Sequence, residues 1–174
     1  MHRMHQNDKI HRPSELLGSL RRVGVTVAVS VPDSWLGETL IRIEHEPTMT
    51  LIRATHEEEA LAISCGARLG GARTALIIQN AGLLTMGAGM VCLAQRFQFP
   101  LLILVSYRGT LQDGVYYHIP KYRATKPVIR GYGLNYAQTD PQQPIGPQVE
   151  RAANYAEESS SPFVLLLSRE DIKW

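Results

Sequence analysis

The chain has 174 residues, 44% hydrophobic and 20% charged, with a formal charge of +2. That length accommodates one full domain with its own core and excludes two large ones. The scattered Lys and Arg argue against a nucleic-acid surface, and no apolar run approaches the ~18 residues of a membrane helix.

The opening stretch MHRMHQNDKIHRP is polar and has no signal-type apolar core, so residues 1–12 are expected as a flexible tail and residues 13–174 as a single domain. His2, His5 and His11 fall in that tail and read as solvated groups rather than metal ligands. A helix is expected over SELLGSLRRVG, with Ser14 as its cap and Gly24 as its stop. The run VTVAVSV then reads as a strand. After it, Asp33 or Ser34 can cap a helix in which Leu36, Leu40, Ile41 and Ile43 recur at helical spacing. MTLIRA is a second strand, followed by a helix that opens at THEEE. RTALIIQ, the helix TMGAGMVCLAQRF and the strand PLLILVS come next. A long loop is expected from Tyr107 to about Arg123, then a weaker segment KPVIRGYGL, a last helix IGPQVERAANYAEES and a last strand PFVLLLS.

The strands at 76–79, 101–105 and 163–167 are continuously apolar, the pattern of parallel strands covered on both faces. The expected fold is therefore a three-layer α/β/α domain with a mostly parallel central sheet. Ligands in such sheets bind beyond the carboxyl ends of the strands. That rule singles out VPDS, THEEE, QNAGLL and SYRG. The two cysteines, Cys65 and Cys92, lie in apolar segments and read as small buried hydrophobes. Their number excludes a disulfide framework, and a cytoplasmic location is expected.

The helix start at Glu57, Glu58 and Glu59 admits two readings. Thr55 and Glu58 fit a capping box, and any of the three acids gains about 0.3–1 kcal/mol from the helix dipole. From Ala60 to Ala67, however, the helix is apolar or small all round and should be enclosed. A carboxylate one turn earlier can face a cleft, where burial tunes it for acid/base work.

ATHEEEALAISCGARLGG followed by ALIIQNAGLL resembles the pyrimidine-binding domain of thiamine-diphosphate enzymes, in particular the phosphonopyruvate and sulfopyruvate decarboxylases. A family glutamate precedes a helix glycine by a fixed spacing, and counting back from Gly66 gives Glu57. VPDS, QNAGL and Arg108–Gly109 follow in the family's order, and the resemblance spans roughly residues 13 to 170. It implies that Glu57 bonds the ring nitrogen of the cofactor's aminopyrimidine, so that the imino tautomer takes the proton from the thiazolium carbon. The ylide then attacks a small 2-oxo acid. On this resemblance Glu57, Gln79, Asn80, Gly82 and Leu83 bind cofactor, and Pro32, Asp33, Ser34, Asn80 and Arg108 face substrate. Glu58 is left as the capping residue and Glu59 as a solvated or interface acid. His118, an imidazole, is a candidate substrate contact and proton shuttle. The chain departs from the family motif at Ala81, Leu84 and Thr85.

In the loop, Arg108, Lys121, Arg123 and Lys126 could meet a sulfonate or phosphonate, or could be solvated charges. Tyr107, Tyr116, Tyr117 and Tyr122 fit a larger 2-oxo acid or packing against a partner. The family holds diphosphate and Mg2+ through a Gly-Asp-Gly motif that this sequence lacks, since QDGVYY has no first glycine. No metal ligand is expected here. The resemblance thus implies an alpha subunit of a two-subunit decarboxylase. A PP-domain beta subunit would anchor thiamine diphosphate and Mg2+, in a hetero-oligomer with at least two copies of each chain. A carboligase or other C–C lyase, and a non-catalytic α/β binding module, stay open. GAGMVC lacks the third glycine of a dinucleotide fingerprint.

Overall fold

A computed structural model describes residues 5–172, with side chains from Arg12 onward. Helix α1 (His5–Arg22) begins ahead of the expected Ser14 cap and carries Pro13 within it. Six strands follow: β1 (Val27–Ser30), β2 (Thr50–Arg53), β3 (Thr74–Gln79), β4 (Leu102–Ser106), β5 (Asn135–Gln138) and β6 (Phe163–Leu167). Their order across the sheet is β2-β1-β3-β4-β6-β5, and every neighbouring pair is parallel. The sheet is thus wholly parallel.

The continuous apolarity of the central strands has a direct cause. Ala75, Ile77, Leu102 and Leu104 point to one layer, where they meet Leu16 and Leu20 of α1, Leu40 and Ile43 of α2 (Gly37–Glu44) and Val149 of α7 (Ile145–Ser159). Leu76, Ile78, Ile103 and Val105 point to the other. There they pack on Leu61 and Cys65 of α3 (Glu57–Leu69), Leu83 of α4 (Asn80–Thr85) and Ile129 of α6 (Ile119–Gly131). Each such Leu or Ile, removed from water, contributes about 1.5–3 kcal/mol.

Three segments differ from the sequence expectation. QNAGLL is not a loop, because its last five residues belong to α4. The helix expected at 85–97 is a short α5 (Gly87–Gly89) running into a π-helix at Met90–Gln95. The long loop ends early, in a 3₁₀ turn at Tyr116–His118 that leads into α6. Pro120, in the first turn of α6, needs no N–H partner there, whereas Pro127 lies inside the helix.

A short helix α8 (Arg169–Ile172) closes the described chain. Its Asp171 is buried and accepts bonds from Ser168, Thr139 and, at 2.9 Å, Arg12 of α1. Strand order turns at β1, with β2 on one side and β3 on the other. The carboxyl ends of β1 and β3 therefore flank the crevice where open parallel sheets bind ligands.

Candidate functional site

At that crevice the exit of β1 meets the exits of β3 and β4. Asp33 is buried, and its two oxygens do different work. Oδ1 accepts the Trp35 N–H at 2.8 Å and closes the turn before α2, which itself starts at Gly37 without a side-chain cap. Oδ2 accepts from Arg108 Nε at 3.0 Å, from Arg108 Nη2 at 2.6 Å and from Gln79 Nε2 at 3.0 Å. Arg108 also donates to Ser34 Oγ at 2.9 Å and lies over the Trp35 ring at 4.7 Å. With side chains only 9% and 2% exposed, this Arg–Asp pair saturates itself, and its charges are not free for a ligand. Pro32 and Ser34 stay exposed on the rim.

Gln79 links this network to α6: its Oε1 lies 3.4 Å from Lys121 Nζ. Asn80 is wholly buried, and its Nδ2 donates to the Arg108 carbonyl at 3.0 Å and to Thr125 Oγ1 at 3.1 Å. Thr125 in turn donates to the Lys121 carbonyl at 2.6 Å, so its oxygen can only accept from Asn80. The amide orientation is thereby fixed, and Asn80 Oδ1 is left buried without a partner.

The acidic helix start resolves into three roles. His56, with extended φ −143 and ψ 146, is the N-cap of α3, and its Nδ1 accepts the Glu58 N–H at 3.4 Å. The helix thus opens one residue later than the Thr55–Glu58 box supposed. The reciprocal acid is Glu59, which accepts from the Thr55 N–H at 2.9 Å and the Thr55 hydroxyl at 2.8 Å. The Thr55 backbone bond, then its hydroxyl, hold the Glu59 carboxyl below the ordinary carboxylate range. Glu58 is exposed, and Glu57 alone is half-buried. Glu57 lies against α4: a Cβ added at Gly82 would fall 2.2 Å from Glu57 Cγ and 2.3 Å from its Oε1. Only glycine lets the two helices meet in this way. Leu83 beside it packs into the core.

His118 is buried, with Nδ1 2.6 Å from Asp113 Oδ2, which also accepts the Gly109 N–H at 2.8 Å. Gly109 has φ +94, and a Cβ there would lie 2.3 Å from the His118 carbonyl. This knot explains the Arg108–Gly109 pair, since any side chain at 109 would open the loop. Among the described residues no hydrogen bond joins His118 to the Asp33 network or to Glu57. The sequence analysis weighed Asp113 only within QDGVYY, as a failed Gly-Asp-Gly match, and singled out neither Trp35 nor Thr125.

The tyrosines divide. Tyr107 is buried and stacks on Tyr122 at 4.7 Å, and burial pushes its phenol well above the ordinary value. Tyr116 and Tyr117 are exposed. Of the cysteines, Cys65 is buried and Cys92, against expectation, is exposed. Among the described residues, no three His, Cys, Asp or Glu side chains gather as a metal site, and no helix is long and apolar enough to cross a membrane.

No family model matches the chain. Sulfopyruvate decarboxylase subunit alpha from Methanocaldococcus jannaschii is 30% identical over 156 residues, which cover 87% of this chain and 89% of that one. The chain belongs to the sulfopyruvate decarboxylase alpha-subunit family. Within the same set of relatives, phosphonopyruvate decarboxylase from Streptomyces viridochromogenes is 32% identical over 96 residues, 55% of this chain and only 24% of that protein. Benzoylformate decarboxylase from Polynucleobacter necessarius shares the fold at a TM-score of 0.70 and 19% identity, covering 94% of this chain and 30% of that one. The family's members are thus matched along most of their length, and the larger decarboxylases over about a quarter to a third.

Proposed function

We propose that this chain is the pyrimidine-domain alpha subunit of a thiamine-diphosphate-dependent 2-oxo acid decarboxylase, active with a beta subunit. The junction of Glu57 with Gly82 carries this reading. A carboxylate on the rigid first turn of α3, half out of water, rests on a helix backbone bare of side chain. The unpartnered Asn80 Oδ1, an acceptor in want of a donor, supports the same reading. Of the five residues expected at the aminopyrimidine end, Glu57, Asn80 and Gly82 would hold it in this reading, whereas the Leu83 side chain is wholly buried in the core and the Gln79 amide is spent on Asp33 and Lys121. When bound, thiamine diphosphate supplies the carbon nucleophile and the electron sink for loss of carbon dioxide.

In this reading Glu57 holds a proton at the pyrimidine ring nitrogen and so selects the tautomer. Helix α3 fixes the carboxylate within hydrogen-bond reach. Asp33, Arg108 and Gln79 form a rigid polar floor, and His118 secures the loop through Asp113. In this reading the diphosphate and Mg2+ fall to the beta subunit, which the want of a Gly-Asp-Gly motif in this sequence supports. The active site then lies between chains, in a hetero-oligomer with at least two copies of each.

Co-purification with the beta subunit, followed by calorimetric titration with thiamine diphosphate and Mg2+, tests the reading. Binding by the pair but by neither chain alone is expected. Glu57→Gln in that pair should lower kcat by roughly 10²–10⁴-fold with assembly and Tm unchanged. A pair that binds no cofactor would leave an α/β module whose acidic turn only starts a helix.

A further inference from the structure

Five cations stand on the loop and helix beyond β4, and their surroundings separate them; Arg130, in the last turn of α6, donates to the Tyr136 hydroxyl at 3.0 Å. Arg108 is neutralised by Asp33. Arg123 is exposed and lines a surface cavity with Leu111 and Tyr116. Lys126 donates to Gln138 Oε1 at 2.9 Å and lies 5.5 Å from the centre of the Tyr107 ring. Lys121 remains. It is half-buried, and among the described residues its ammonium has one hydrogen-bond partner, the Gln79 amide oxygen at 3.4 Å, and no carboxylate within 4.0 Å.

The position is uncompensated in a second way. Helix α6 runs for 13 residues with no acidic residue in its first turn and no side-chain cap. A lysine there is opposed by the helix dipole, and an anion would relieve both charges. The same turn is fastened through Thr125 to Asn80, whose Oδ1 is the buried atom without a partner. Asp33 holds the Gln79 amide nitrogen, which keeps its oxygen on the Lys121 side. Gly82, on which Glu57 rests, is about one helical turn from Gln79. Lys121 and Glu57 therefore address the same short turn of chain.

We propose that the Lys121 ammonium receives the anionic tail of the 2-oxo acid and so selects an acidic substrate over a neutral one. This rests on the decarboxylase reading above. One uncommitted cation beside a neutral amide suits a singly charged sulfonate or carboxylate tail better than a phosphonate, which like a phosphate monoester carries about 1.5 to 2 charges.

The test uses the alpha–beta pair loaded with thiamine diphosphate and Mg2+, and measures kcat/KM for sulfopyruvate and for pyruvate. Lys121→Gln should lower kcat/KM for sulfopyruvate roughly 10- to 100-fold, mostly through KM, and leave pyruvate within about twofold. Lys121→Arg should restore most of the loss. Calorimetric titration with 3-sulfopropionate, which has no keto group to react, should rank the three proteins in the same order. An equal loss on both acids, or no loss on either, overturns the role of Lys121 and leaves the decarboxylase reading intact. A pair that binds cofactor yet turns over neither acid, or pyruvate alone, overturns this proposal by itself; a pair that binds no cofactor takes the decarboxylase reading and this one with it.

Discussion

Glu57 and Gly82 meet so closely that the two positions behave as one unit. Alanine favours a helix over glycine by about 1 kcal/mol, but the overlap with Glu57 offsets that gain, so Gly82→Ala should leave thermal stability level or lowered. Its new Cβ must displace the Glu57 side chain. Activity of the assembled pair should then fall as expected for Glu57→Gln, and a Tm trace beside a rate assay checks both halves. Asp33→Asn makes a different forecast. It leaves the Arg108 guanidinium buried without its counter-charge, at a cost of about 3–5 kcal/mol by urea unfolding. Glu57 stood out in the sequence through its place at a strand's exit and through the family resemblance, which sets a glutamate at a fixed spacing before a helix glycine. The Asp33–Arg108 pair was not visible, because its partners are 75 residues apart and nothing local marks them as mates. The helix cap was misplaced by one residue: Thr55 has the side chain of a cap, but His56 has its backbone geometry.

Helix α3 shows what element-scale burial does to chemistry. Burial pushes the Cys65 thiol up to about 11, because a thiolate there would lose its water. At pH 8 the exposed Cys92 should react with a thiol reagent at once, and Cys65 only on unfolding; two fast thiols in the native chain would contradict the packing. The linkage sign follows from the same shift. The folded thiol keeps its proton where the unfolded one loses it, so Cys65 supports the fold below the ordinary thiol range, and that support is lost as pH rises toward 11. The central strands were legible because alternate residues feed two apolar layers, which forces an unbroken hydrophobic run. Helix α6 was not, since Pro120, Pro127 and the tyrosines before it break the pattern that a helix normally shows. Strand β5 left no trace for a different reason: it lies at the sheet edge with most residues exposed, and NYAQ has no apolar alternation to read.

For the molecule as a whole, the two ends of the described chain are tied together. Arg12 donates to Asp171 at 2.9 Å, to the Glu170 carbonyl at 2.7 Å and to the Pro141 carbonyl at 3.0 Å. Arg12→Ala should cost about 1.5–3 kcal/mol, read as a lower urea midpoint with an unchanged slope. A fall in slope instead would mean that the terminal elements had detached separately. The strand order adds a constraint that concerns synthesis rather than stability. β6 is the last strand along the chain, yet it sits between β4 and β5. Until it is made, β5 has no neighbour, and the outer edge of β4, with all five residues destined for the interior, stays open. Nearly sixty residues separate the two strands, about 3 to 12 s of translation at usual elongation rates. For that interval the nascent chain carries a sticky, unfinished sheet, and a ribosome-side chaperone or a slow-growing culture would decide how much of it survives to be folded.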